Sequence, residues 1–268
     1  MSERTGKAPD GTAYLLAGPE DARPVVLIHG LGLCRQLWDA HLPGLTAHNH
    51  VIAYDLYGHG ESAPPPATAS LTVYAQQIAD LLDHLGVAKA ALVGFSIGGM
   101  INRRFALDHP DRLTALAILN SPHDRGSEAQ AQVEARAAFV RADGPMATLD
   151  AALERWFTPH FRAASPETMA TIRAWRAAVD PESYAQAAWV LANGVRELIR
   201  PSPGITLPTL VMTCAEDSGS TPAMSHAIAA EIPGAETLIV PGLRHLGLME
   251  DPVAFTDPVL SFLERTVR

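Results

Sequence analysis

Gly94-Phe95-Ser96-Ile97-Gly98 is the one G-x-S-x-G segment in this chain of 268 residues. It stands between a short apolar run and a helical pattern, and its glycines permit a sharp turn that lifts a serine hydroxyl clear of the backbone. The plain alternative is a serine in a packing turn. A hydroxyl attacks a carbonyl only when a base takes its proton. Eleven histidines are present, so position has to choose among them. His245 lies in a loop after the last apolar run and before the final helical stretch. His41, His48, His50, His84, His109 and His226 fall in or beside helical stretches or polar turns and read as surface residues. His29 and His59, in glycine-rich loops, read as orienting backbone, and His123 is the competing base. The base in turn needs a carboxylate to hold its tautomer and balance the imidazolium. Asp217 fills that place, and Asp124 could supply the carboxylate from a different strand. Two N–H groups are candidates to receive an oxyanion: Ile97, opening the helix after Ser96, and Leu31 within His29-Gly30-Leu31-Gly32.

These residues need a scaffold that brings distant loops together. Short apolar runs at 24–28, 51–54, 90–93, 116–119, 209–212 and 237–240 each end at a turn or polar residue. Runs without polar alternation suit strands covered on both faces, as in a parallel sheet. Helical spacing at 71–85, 100–107, 222–232 and 253–263 falls between and after them. Strands alternating with helices predict a doubly wound, mostly parallel α/β sheet. The rhythm stops between Pro122 and Gly204, a stretch rich in Ala, Glu and Arg and broken by Pro145, Pro159, Pro166 and Pro181. Several short helices are expected there. The division is a core of residues 1–122 and 206–268 with a helical lid at 123–205. The order Ser96, Asp217, His245 is the order this topology uses.

Composition excludes several classes. Apolar residues make up 47% and charged residues 18%, with mean hydropathy +0.07, which is globular rather than disordered. A net charge of −9 argues against general binding to nucleic acid or an anionic membrane. No apolar run approaches the ~18 residues of a spanning helix, and the first residues lack the stretch of a secretory signal. Two cysteines, Cys34 and Cys214, make no disulfide framework, so a cytoplasmic setting is the expectation. Histidines and cysteines lack metal-ligand spacing, and no phosphate-cradling loop or dinucleotide fingerprint occurs, so no metal or cofactor is expected.

The chain resembles the α/β-hydrolase fold superfamily over essentially its whole length. The resemblance rests on His29-Gly30-Leu31-Gly32 with Trp38, on the segment from Asp55 to Ser62, on Gly94 to Met100, and on His245 followed by Glu250-Asp251-Pro252. Within it, Arg155-Trp156-Phe157-Thr158-Pro159 with Phe161, Asp180-Pro181 and Tyr184 is similar to the 3-oxoadipate enol-lactonases. Those lactonases have a lid tryptophan three residues before an arginine matching Arg136, and here Val133 stands in its place. The resemblance implies a cofactor-free serine hydrolase cleaving a carboxylic ester or lactone through an acyl-enzyme. Ser96 would be the nucleophile, His245 the base and Asp217 its partner. Trp156, Phe139 and Arg136 are candidates to touch substrate, with Arg104, Arg125 and Arg244 near the same cleft. A C–C bond hydrolase, a cofactor-free haloperoxidase-like activity and a triad-retaining binding protein use the same residues and stay open. The expected partner is a small molecule, with no nucleic acid and no membrane.

Overall fold

The computed structural model describes residues 3–266. The chain opens with β1 (Arg4–Lys7), β2 (Ala13–Ala17) and β3 (Arg23–Ile28). Next come the single turn α1 (Leu42–Leu45), β4 (Asn49–Tyr54), α2 (Leu71–His84), β5 (Ala90–Phe95), α3 (Ile97–Asp108) and β6 (Leu113–Leu119). Five helices then follow without a strand: α4 (Gly126–Asp143), α5 (Leu149–Trp156), α6 (Pro159–Ala164), α7 (Pro166–Ala178) and α8 (Pro181–Asn193). The chain ends with β7 (Thr209–Cys214), α9 (Pro222–Ala230), β8 (Glu236–Val240), the short α10 (Gly247–Glu250) and α11 (Val253–Thr266).

The eight strands form one sheet in the order β1-β2-β4-β3-β5-β6-β7-β8. From β4 to β8 every neighbouring pair is parallel, and only β1 and β2 add antiparallel pairings at one edge. The all-apolar runs follow from this geometry, because successive side chains point to opposite faces and both faces are covered. Val26, Ile28, Ile52, Tyr54 and Leu92 pack on one side with Ile78 and Leu82 of α2 and Phe105 of α3. Val25, Leu27, Val51, Ala53 and Val93 pack on the other with Phe255, Val259 and Phe262 of α11.

Six strands are predicted from the sequence and eight are present among the described residues. β1 has three of its four residues exposed and contains Gly6, so it carries no apolar run to read. The prolines of the helical stretch do not interrupt helices. Pro159, Pro166 and Pro181 open α6, α7 and α8, where a missing N–H costs nothing. His41 and His50, expected at the surface, are buried, and His41 Nδ1 lies 2.7 Å from the Thr256 hydroxyl of α11. Among the described residues no helix is long and apolar enough to cross a membrane.

Candidate active site

Ser96 sits between β5 and α3 at φ +58°, ψ −113°, a backbone region that L-residues seldom enter and that costs about 1–3 kcal/mol. Two glycines let the chain turn this sharply. A Cβ on Gly94 would stand 2.2 Å from the Gly98 carbonyl oxygen, and one on Gly98 would stand 2.5 Å from that of Ile28. Backbone blocks both, so no side-chain movement relieves the clash. The turn is held by Ser96 N–H donating to the Leu119 carbonyl at 2.8 Å.

His245 reaches the serine from the loop between β8 and α10. Its Nε2 lies 3.1 Å from Ser96 Oγ, and its Nδ1 lies 2.6 Å from Asp217 Oδ2. With Nδ1 donating to the carboxylate, Nε2 is free to accept the serine proton. Asp217 follows β7 and is held from four directions. Oδ1 accepts from the Gly219 and Ser220 N–H groups at 2.8 and 2.9 Å, and Oδ2 accepts also from Asn120 Nδ2 at 2.9 Å. Burial by itself would push the Asp217 carboxyl up. The His245 charge and hydrogen bond, the Asn120 amide and the Ser220 N–H outweigh it and hold the carboxyl below its ordinary value. This chain of groups can move a proton from hydroxyl to imidazole while a fixed carboxylate balances the charge.

Opposite the serine runs the loop after β3. Among the described residues, no group accepts from the Leu31 N–H. The Ile97 N–H opens α3 and has no intrahelical acceptor. His29 fixes that loop. Its Nε2 accepts from the Leu56 N–H at 2.9 Å, so its proton is on Nδ1 and donates to the Gly30 carbonyl at 2.8 Å. Burial lowers the His29 pKa to about 4, which keeps this arrangement neutral.

Ser96, His245 and Asp217 open into a cavity of about 400 Å³, floored by the strand ends and roofed by α4, α5, α7 and α8. Trp156 and Arg136 line it, and the Trp156 ring centroid is 6.3 Å from that of His245. Phe139 does not: it is 49% exposed on α4 and lies outside the lining, because it projects from the solvent side of that helix. Arg104 also turns away, paired with Asp108 at 2.6 Å and Glu197 at 3.5 Å. Arg244 donates to the Glu154 carbonyl at 2.7 Å outside the cavity. Arg125 does line the cavity, anchored on the Leu191 carbonyl at 3.1 Å. The two competitors are occupied elsewhere. His123 Nε2 is 3.0 Å from Glu231, and Asp124 is exposed with its carboxylate accepting from the Gly126 N–H. Asn120 and Arg176 escape sequence reading, and Arg155 enters it only as part of the lid segment beside Trp156, with no role at the cavity. Asn120 follows the end of β6, a position that could have flagged it, whereas nothing distinguishes Arg176 from its many neighbours of the same type.

Comparison with known proteins places the chain in a family. The alpha/beta hydrolase fold family matches residues 23–252. A 3-oxoadipate enol-lactonase of Acinetobacter baylyi is 30% identical over 253 residues, covering 94% of this chain and 92% of its own. An (E)-2-((N-methylformamido)methylene)succinate hydrolase from the same organism is 26% identical, covering 92% of each. The crystal structure of an enol-lactonase from Burkholderia xenovorans superposes with a TM-score of 0.88 at 30% identity, over 97% of this chain and all of that one.

Proposed function

The chain belongs to the alpha/beta hydrolase fold family, and from that premise we propose that it hydrolyses a carboxylic ester or lactone through an acyl-enzyme on Ser96, with a 3-oxoadipate enol-lactone-like compound as the leading candidate. The observation that carries the reading is the hydrogen-bonded run from Asp217 through His245 to Ser96, 2.6 and 3.1 Å long, at the floor of a cavity. The similarity to two enol-lactonases supports the choice of substrate.

In this reading Ser96 Oγ bonds to the substrate carbonyl carbon as His245 Nε2 takes its proton, and Asp217 stabilises the imidazolium that forms. The carbonyl electron pair moves onto oxygen, where the Leu31 and Ile97 N–H groups receive it. Collapse breaks the acyl–oxygen bond, and the leaving alkoxide or enolate collects the proton from Nε2. In a lactone that oxygen stays tethered to the acyl group. Water then gives a proton to His245 as it attacks, Ser96 regains one on collapse, and the acid departs. Residues 123–205 act as a lid that limits substrate size and excludes bulk water.

Burst-phase kinetics with p-nitrophenyl acetate and butyrate, beside the enol-lactone, test this in wild type and Ser96→Ala. Turnover of ester or lactone that disappears in the variant is the expected result. Absence of Ser96-dependent turnover on all three would sink it and direct attention to a dienoate diketone.

A further inference from the structure

Arg176 is 3% exposed, yet two of its three guanidinium nitrogens are unsatisfied. Nη2 donates to the Tyr184 hydroxyl, whereas Nε and Nη1 have no hydrogen-bond partner. A buried guanidinium normally has a carboxylate beside it, because removing the charge from water is costly without one. None is in reach. Arg176 faces the cavity that holds Ser96, and the one acidic side chain lining that cavity, Asp217, is committed to His245. What holds the guanidinium in place is aromatic. Its carbon lies 5.1 Å from the Trp156 ring centroid and 4.8 Å from that of Tyr184, two faces that favour a cation.

The surroundings increase the positive potential. Arg136 and Arg155 line the same cavity, and Arg136 makes no hydrogen bond or ion pair among the described residues. Burial, then the neighbouring Arg136 and Arg176, hold the Arg155 guanidinium below its ordinary value. Charges that repel one another around a cavity whose one acid is committed to His245 form a site suited to an anion. That site adjoins the reacting centre. A Cβ on Gly32, next to Leu31, would stand 2.8 Å from Arg176 Nε. Glycine at φ +72° therefore lets the guanidinium lie against the loop that carries the Leu31 N–H.

We propose that Arg176, clamped between Trp156 and Tyr184 with Nε and Nη1 free, seats a carboxylate of the substrate, which is an anionic ester or lactone whose carboxylate is a short chain from the scissile carbonyl. The proposal rests on the hydrolase reading above for its chemistry, and on the unpaired guanidinium for its specificity.

The test compares anionic esters with neutral counterparts in wild type, Arg176→Met and Arg176→Lys. Mono-p-nitrophenyl glutarate against p-nitrophenyl pentanoate places the carboxylate in the acyl part. 4-Acetoxybenzoate against phenyl acetate places it in the leaving part. At least one anionic ester is expected to exceed its counterpart about tenfold or more in kcat/KM, as one charge-assisted bidentate pair can supply. Arg176→Met is expected to abolish that preference through KM, slowing the anionic ester far more than its neutral counterpart, and Arg176→Lys to restore part of it. Whichever pair shows the preference identifies the half that carries the carboxylate. Neutral esters turned over as fast as both anionic ones, or all esters slowed equally in Arg176→Met, would overturn the proposal in favour of a packing role. Glutarate binding to Ser96→Ala, measured by calorimetry, decides the seat without catalysis. Binding that is lost in Ser96→Ala/Arg176→Met supports it, and no binding, or equal binding, overturns it. If no ester is cleaved in a Ser96-dependent way, the hydrolase reading falls while this measurement still decides on the seat.

Discussion

Asp217→Asn is expected to lower kcat by about 10⁴-fold, about 5 kcal/mol in the barrier, with little change in KM. Each carboxylate oxygen of Asp217 accepts two N–H groups, so the new amide nitrogen must face a pair of donors wherever it points. At the Oδ1 place those donors are the backbone N–H groups of Gly219 and Ser220, which cannot turn away. Leaving both unsatisfied would cost about 1–3 kcal/mol each. At the Oδ2 place both donors can adapt. Asn120 can rotate its amide to present Oδ1, which has no partner in the native arrangement, and His245 can move its proton from Nδ1 to Nε2. The nitrogen therefore goes to the Oδ2 place, and Nε2–H then points at Ser96 Oγ across 3.1 Å. An imidazole in that tautomer has no lone pair for the serine proton. Steady-state turnover of p-nitrophenyl butyrate, beside a thermal melt to show an intact fold, measures the effect. A kcat within about tenfold of wild type at an unchanged melting temperature would show that Asp217 does not set the His245 tautomer, and the argument would fail.

Stability is expected to fall as pH drops from about 6.5 to 4, because burial lowers the pKa of His29 and His41 to about 4 and of His59 to about 3. In that window the unfolded chain binds more protons than the folded one, so stability rises with pH and is lost on acidification. His41→Gln should reduce the slope by up to about 1.4 kcal/mol per pH unit, and denaturant midpoints that stay flat across the window would contradict the mechanism. Gly98→Ala places a methyl 2.5 Å from the Ile28 carbonyl, backbone against backbone, so α3 and the Ile97 N–H must shift. A loss of about 10²-fold in kcat with a lower melting temperature is expected, and full activity would refute the role given to that close approach.

Much of the scaffold can be read in the chain alone. The runs at 24–28, 51–54 and 90–93 lack polar alternation because both faces of β3, β4 and β5 are covered, and that burial leaves its mark on consecutive residues of each strand. The glycines around Ser96 are similarly legible, since the turn they allow is a local property of five consecutive residues. β1 was invisible for the opposite reason. It is held by edge pairing to β2 rather than by its own side chains.

The α/β alternation, the place of the nucleophile turn, and a short set of loop residues able to serve it are legible along the chain, because each depends on spacing within one segment. Only the tertiary structure decided which members of that set meet. His245 meets Ser96 across 149 residues of chain and Asp217 across 28, while His123 and Asp124 are drawn to other partners. It alone turned Phe139 outward and brought Arg176 inward between two aromatic rings. The charge of an arginine is written in the sequence, but whether bulk water, a carboxylate or the wall of a cavity surrounds it depends on how helices far apart in the chain pack together.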